Sequence, residues 1–470
     1  MIEKNGCFFF GLMYLLLLYP LTLNGNSETH HPNILIIYAD DLGYGDLSSY
    51  GGNIPTPHID KIGKEGIRFT SFYVSAPACT PSRYSLMTGA YPQRSHHGLN
   101  RVIYSKHSGR LDEKEKILPQ YLKQIGYHTA LFGKWHLGGN PLDHGFDRFS
   151  GLTQGCIDYY NHVAVFPHSE GNYALDWYNG YNKVKEEGYA TDLITEHAID
   201  YLNKKSKSGA PFFIYLAYNA PHYGKSVAKL VEETGYTGNT ISLDGDDPRE
   251  FEGVFSSLQA PEEYLHKFSH VSDIYRRYYA AMISSMDDNI GRVWENLKKN
   301  HLLNNTIIWF ISDNGGYSVT HHAHADNGDL RGQKFDVYEG GIRVPALLCW
   351  KNKIKAGLVC HQPVLNADLL PTFAMILGFE QQLTNRTIDG KNISTVIFEN
   401  DRLERSLFWR YDVNKQYAYR KGNWKLYMDQ LFNLETDIQE KHNVKSKNPE
   451  KYKELKNAYD STLRSLTPFK

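Results

Sequence analysis

The chain has 470 residues, too many for one small core and enough for a large α/β domain with a smaller companion. Apolar residues make up 41% and charged residues 22%, an ordinary globular balance. Lys and Arg number 51 against 52 Asp and Glu, so no strong net field singles out nucleic acid or an anionic membrane as a partner.

Residues 1–25 stand apart. Lys4 precedes an apolar run from Cys7 to Leu18, followed by small and polar residues around Gly25. This is a secretory signal pattern, with an apolar run short for a membrane span; an uncleaved anchor is the alternative. No later stretch is long and apolar enough to cross a bilayer. The expectation is therefore export, to an extracellular, periplasmic or lysosomal destination, with no membrane attachment after cleavage. Five cysteines are few for an exported protein. Cys349 and Cys360 could bridge, or Cys349 could simply be buried in its apolar run, and spacing leaves both open. Asn304, Asn385 and Asn392 head glycosylation sequons.

The apolar run Asn33–Tyr38 reads as a strand buried on both faces and ends in Asp40 and Asp41. Residues 57–67 read as a helix, and Phe69 to Val74 as an extended run into a loop. There Cys79 precedes Pro81, which suits a first helical turn, and Arg83 follows at i+4 on the same face. A guanidinium and a helix N-terminus both favour negative charge beside the cysteine, whether a thiolate or a bound oxyanion. A buried cysteine at an ordinary loop–helix junction explains the spacing equally well.

Leu118 to Ile125 is a predicted helix, and Tyr127 to Phe132 a strand ending towards Lys134 and His136. Residues 145–182 read as an elaborate loop region. Thr191 is placed to cap a helix running to about Lys204. Phe212 to Ala217 is a strand whose end leads to His222, and residues 223–262 read as an irregular insertion. A long helix spans 272–299, and Ile307 to Ile311 is a strand ending in Asp313 and Asn314. Beyond about residue 395, short alternating runs read as an antiparallel meander followed by a helix after Pro449.

The alternation of buried strands and helices predicts an α/β fold: a large, mostly parallel sheet flanked by helices, with a smaller C-terminal α+β domain. The expected division is a signal over 1–25, a catalytic domain over 26–395 and a C-terminal subdomain over 396–470. Ligands of such sheets bind beyond the carboxyl ends of the strands. Asp40, Asp41, Lys134, His136, His222, Asp313 and Asn314 are thus predicted to converge. Four oxygen donors without a cysteine–histidine cluster suit calcium or magnesium. Lys134, His136, His222 and the loop lysine Lys334 add cations and proton donors, whereas His321, His322 and His324 are read as a rim loop. A metal, several cations and a nucleophile suit a tetrahedral oxyanion ester, sulfate or phosphate. Abundant tyrosine, 34 residues, is a weak pointer to carbohydrate.

Pro77 to Gly89, with its Cys-x-Pro-x-Arg core, and Gly126 to Leu137 resemble the two signatures of the type I, formylglycine-dependent sulfatases of the alkaline-phosphatase superfamily. Gly145–Asp147, Asp158–His162 and Leu258–Tyr264 look like arylsulfatase B and its relatives. The resemblance implies that a formylglycine-generating enzyme oxidises Cys79 during export, and that the hydrated aldehyde is the nucleophile. It implies calcium held by Asp40, Asp41, Asp313, Asn314 and the modified Cys79, with Arg83 stabilising the hydrate. Lys134, Lys334 and His222 would bind sulfate or assist the leaving oxygen. His136 would help expel sulfate and regenerate the aldehyde. The substrate implied is a sulfated glycan, with N-acetylgalactosamine sulfate among the options and Asp158, Tyr160 and His162 as candidate sugar contacts. One departure is Gly155, which by residue count stands where some sulfatases carry a sulfate-contacting serine. The alternatives are phosphodiester or phosphonate monoester hydrolysis on the same scaffold, or glycan binding by a protein whose Cys79 stays a thiol.

Overall fold

The computed structural model describes residues 31–104, 109–166, 173–206, 208–243, 253–318 and 324–466. The expected signal and the pair His321 and His322 lie outside them. Residues Pro32–Lys470 form one compact unit. Among the described residues no helix is long and apolar enough to cross a membrane.

Ten strands form the main sheet: β1 (Asn33–Ala39), β2 (Ile67–Phe69), β3 (His128–Lys134), β4 (Arg148–Leu152), β5 (Tyr178–Asn179), β6 (Asn182–Lys183), β7 (Phe212–Ala217), β8 (Thr306–Ser312), β9 (Ala346–Cys349) and β10 (Leu358–Cys360). Their order is β10-β2-β9-β8-β1-β7-β3-β4-β5-β6. The five central strands, β8 to β4, are parallel. The β8–β9, β9–β2, β4–β5 and β5–β6 pairs are antiparallel. This is the predicted class: a large, mostly parallel sheet between helices.

Alternation along β1 explains the layers. Leu35 and Ile37 enter one core with α1 (Pro57–Lys64), α4 (Ala190–Lys205) and α5 (Ile274–Lys299). Ile34, Ile36 and Tyr38 enter the other with α2 (Cys79–Thr88), α3 (Leu118–Gln124) and α6 (Leu369–Leu377). Both faces are covered, so every residue of β1 is buried and the strand reads as a continuous apolar run. A separate sheet of β11 (Ser406–Tyr411), β12 (Gln416–Lys421), β13 (Trp424–Tyr427) and β14 (Gln430–Asn433) is the expected antiparallel meander. It carries α7 (Pro449–Ser465), which buries Leu455 and Tyr459.

Some local expectations change. The N-cap of α4 is Tyr189, one turn position before Ala190, and Thr191 lies inside the helix. The region 145–182 supplies a fifth parallel strand, β4, whose short Arg-Phe-Ser-Gly-Leu run lacks the continuous apolar pattern of β1, β7 and β8. The insertion over 223–262 contains a three-stranded antiparallel sheet, Gly224–Val227, Thr240–Ser242 and Val254–Gln259. Cys349 and Cys360 are unbridged. They sit on β9 and β10, which pair with opposite edges of β2. Two strand spacings, roughly 9–10 Å, exceed what a disulfide spans.

Candidate active site

The parallel strands deliver their polar ends to one place, as the strand-end rule requires. Asp40 and Asp41 follow β1, Asp313 and Asn314 follow β8, Lys134 closes β3, and His222 follows β7. All are buried, from 0% exposure at Asp40, Lys134, Asp313 and Asn314 to 6% at His222. Backbone bonds stitch the loops together: Asp313 N–H donates to Ala39 O at 3.0 Å, and Asp40 N–H to Ala220 O at 3.1 Å. Asp41 takes a left-handed backbone, φ 62°, and its N–H donates to Asp313 Oδ1 at 3.1 Å. Its carbonyl lies 2.9 Å from the hydroxyl of Tyr279, a residue of α5. A non-glycine in that region is a strained conformation held by its surroundings, a common mark of working sites.

Helix α2 begins at Cys79, with Ala78 as N-cap, and is wholly buried. Arg83 reaches from it into the carboxylates. One terminal nitrogen lies 2.9 Å from Asp313 Oδ2 and 3.8 Å from Asp40 Oδ1. The other donates to Lys134 O at 3.1 Å and to Tyr215 Oη at 3.3 Å, and the group lies over the Tyr38 ring at 5.2 Å. Lys134 Nζ donates to Asp40 Oδ2 at 2.5 Å. Lys334 Nζ donates to Asp41 Oδ2 at 2.8 Å, and Asn314 Nδ2 to Asp41 Oδ1 at 2.7 Å. Three carboxylates and three cations therefore share one buried space.

That space sets the proton affinities. Burial would raise Asp40, but the charges of Lys134, His222, Arg83 and Lys334 outweigh it and hold the carboxyl below its usual range. Asp313 moves the other way, raised by burial and by the charge of Asp40 beside it. Burial would lower Lys334, yet Asp41 and its neighbours keep it firmly protonated. Burial pushes the Cys79 thiol up, against the pull of Lys134 and Lys334. The encoded cysteine is thus no ready thiolate, despite its arginine and helix N-terminus.

The two histidines differ. His136, at φ 56°, directs Nε2 at Ile103 O, 2.8 Å away, while its buried Nδ1 has no hydrogen-bond partner. Burial, then the charge of Lys134, holds its ring neutral. Nε2 must then carry the proton, which leaves Nδ1 as a bare acceptor. Gly155 packs on this ring; a Cβ there would stand 2.8 Å from Cε1 and 2.9 Å from Nε2. His222 points Nδ1 at Tyr223 O, 2.6 Å, and Nε2 at Asp41 Oδ2, 3.4 Å. Burial lowers it to about 4.

Asp158, Tyr160 and His162 form an adjoining wall. Asp158 is 0% exposed and accepts bonds from Ser226, Gln259 and the N–H groups of Tyr160 and Asn161. Tyr160 stacks on Tyr236 at 3.9 Å, and His162 on Trp177 at 4.5 Å. His324 is buried against Tyr279, 5.4 Å between ring centres. Sequence reasoning missed the tyrosines behind the site. Tyr38 and Tyr215 sit on β1 and β7 within apolar runs and carry no signal apart from alternation. Tyr159 places its hydroxyl 2.7 Å from the carbonyls of both Asn219 and His222, bracing the His222 turn.

The Sulfatase family model matches residues 32–379. Arylsulfatase J of Mus musculus is 34% identical over 413 residues, covering 85% of this chain and 61% of that protein. N-acetylgalactosamine-6-sulfatase of Mus musculus is 28% identical over 431 residues, covering 88% of this chain and 75% of its own length. The chain thus spans roughly three fifths to three quarters of these relatives. Among solved structures, Ps i-CgsB in complex with k-i-k-neocarrahexaose superposes with a TM-score of 0.77 at 31% identity, covering 92% of each chain. With a family match over most of the parallel sheet and a relative of this identity, the chain belongs to the sulfatase family, a family of sulfuric ester hydrolases.

Proposed function

We propose that this protein hydrolyses sulfate esters on a sulfated carbohydrate, using formylglycine derived from Cys79 and a calcium ion. The observation that carries this reading is the buried group of Asp40, Asp41, Asp313 and Asn314 meeting Arg83, Lys134 and Lys334 beside Cys79.

The donor set fits a hard cation. Asp40 Oδ1 and Asn314 Oδ1 are buried without hydrogen-bond partners, and oxygen is the ligand such ions take. Asp40, Asp41, Asp313, Asn314 and the modified residue 79 would hold it. Once present, the ion would add positive charge for the sulfate oxygens, and hydrated formylglycine would supply a hydroxyl nucleophile. Lys134, Lys334 and His222 bind the sulfate or assist the departing oxygen. Arg83 would stabilise the hydrate from its place on the face of α2 that carries residue 79. His136 offers Nδ1 as the acceptor for the proton lost when sulfate is released. Asp158, Tyr160 and His162 shape the wall carrying the His222 turn. The reading includes export and maturation by a formylglycine-generating enzyme, with residues 26–395 as the catalytic domain and 396–470 as its companion.

The sugar part rests on the relatives: an N-acetylgalactosamine-6-sulfatase and a protein bound to neocarrahexaose. The test pairs turnover of an aryl sulfate and an aryl phosphate with mass spectrometry of the peptide spanning residues 79–83. Aldehyde at residue 79 and preferential sulfate release are expected. Faster phosphate turnover, or an intact thiol in active protein from its native host, overturns the reading. A screen of sulfated saccharides for sulfate release then identifies the sugar.

A further inference from the structure

Lys334 is carried by neither a strand nor a helix, yet it makes a buried contact with Asp41. The next residue, Phe335, has φ 74°, a left-handed backbone that a bulky side chain rarely adopts. Something must hold it there. On one side, Phe335 N–H donates to Pro77 O at 2.7 Å, within the loop that leads to Cys79, and Lys334 N–H donates to Gly316 O at 3.2 Å. On the other side stands the β11–β12 hairpin of the C-terminal sheet. Asn414 Nδ2 donates to Phe335 O at 3.0 Å. Gln416 Oε1 accepts from Val337 N–H at 2.9 Å, and its Nε2 donates to Asp336 Oδ1 at 3.3 Å. Tyr411 stacks its ring 6.1 Å from that of Phe335.

The far end of the same segment is anchored to the same sheet. Lys425, on β13, places Nζ 2.9 Å from Glu339 Oε1 and 2.8 Å from Glu440 Oε1, all three side chains fully buried. Glu339 N–H donates to Glu440 Oε2, and Arg331 to Glu440 O, each at 2.7 Å. The stretch from Arg331 to Glu339 is thus fixed at both ends and at its strained centre by residues more than 75 positions later in the chain.

We infer that the C-terminal sheet positions Lys334 for reaction, with Asn414 and Gln416 as positioning residues that hold the left-handed turn at Phe335. This rests on the role given to Lys334 above. Neither residue touches the reacting atoms; each acts through the backbone of the segment. A lysine displaced by about 1 Å from its productive place loses on the order of a hundredfold in rate.

The test uses the mature full chain. Asn414 is exposed and Gln416 half-buried, so Asn414→Ala with Gln416→Ala leaves the core intact. The paired variant is expected to lower kcat/KM for a sulfate ester about tenfold or more, with an unchanged melting temperature. In a Lys334→Ala background the same pair is expected to cost nothing further. A kcat/KM within twofold of the parent overturns the inference, as does an equal loss in the Lys334→Ala background, which would place the effect elsewhere. Parental activity in Lys334→Ala alone would instead remove the role assigned to Lys334, and the inference with it.

Discussion

Replacing Lys425 by methionine isolates the ion cluster under the Lys334 segment. The side chains have similar length, so packing is nearly kept while one positive charge is lost. In the parent, Nζ lies 2.9 Å from Glu339 and 2.8 Å from Glu440, with no solvent contact for any of the three. Burial opposes ionisation of Glu339, but Lys425, with Arg343 and Arg420, holds its carboxyl below the usual range. Burial and the charge of Glu339 push Glu440 up. Removing the lysine leaves two buried carboxylates facing each other, with only the charges of Arg343 and Arg420 on Glu339 to offset them. Breaking a buried pair in this way costs about 3–5 kcal/mol. At roughly 2.1 cal/mol/K per residue, a unit of about 440 residues unfolds with an entropy near 0.9 kcal/mol/K, so 4 kcal/mol lowers the melting temperature by roughly 4 °C. The sign with pH follows. Above the unfolded carboxyl value, near 4.5, the variant must either bury charge or take up protons on folding, so its deficit is largest at neutral pH. As pH falls towards 5 the unfolded chain binds protons too, and the deficit shrinks. Calorimetric scans at one rate, pH 7.5 and pH 5, measure both. A shift under 1 °C at pH 7.5, or an equal shift at both values, refutes the account.

Three further outcomes are expected. Chelation should abolish turnover and lower the melting temperature, and calcium at 100-fold over its dissociation constant should restore about 2.7 kcal/mol, or about 3 °C, because an ion bound by the folded chain alone stabilises it by mass action; recovery without added metal would contradict this. Gly155→Ser should push the His136 ring from its contact with Ile103 and cut kcat at least about tenfold, with little change in stability, since the added Cβ would meet Nε2 at 2.9 Å; full kcat would mean that ring position is unimportant. Mature protein denatured without reductant should titrate three thiols, Cys156, Cys349 and Cys360, whereas a single thiol would reveal a bridge across β2.

Strand existence and the convergence of strand ends were legible because buried parallel strands are apolar on both faces, a pattern local to each segment. β1, β7 and β8 lie where continuous apolar runs placed them. β4 was not legible: its glycine and serine are accommodated only because the strand lies beside β3, where Gly151 approaches Gly133 closely. The insertion over 223–262 hid three strands because its pairings are antiparallel and distant, so no local period announces them.

The amino-acid sequence by itself determined the chemistry at hand: oxygen donors after two strands, a lysine and a histidine after two others, and a cysteine with an arginine on its helix face. Those follow from residue type and spacing, which need no fold to read. Tertiary structure alone decided how these groups act on one another. Burial, a property of the whole packed chain, makes the Cys79 thiol reluctant to ionise and keeps His136 neutral with Nδ1 bare. It also commits Asp158, Tyr160 and His162 to a wall, because their partners Ser226, Tyr236 and Trp177 come from separate segments. Lys334 is the clearest case. Nothing near it in sequence fixes a loop lysine, and its place beside Asp41 depends on a strained turn held by a hairpin that follows some 80 residues later.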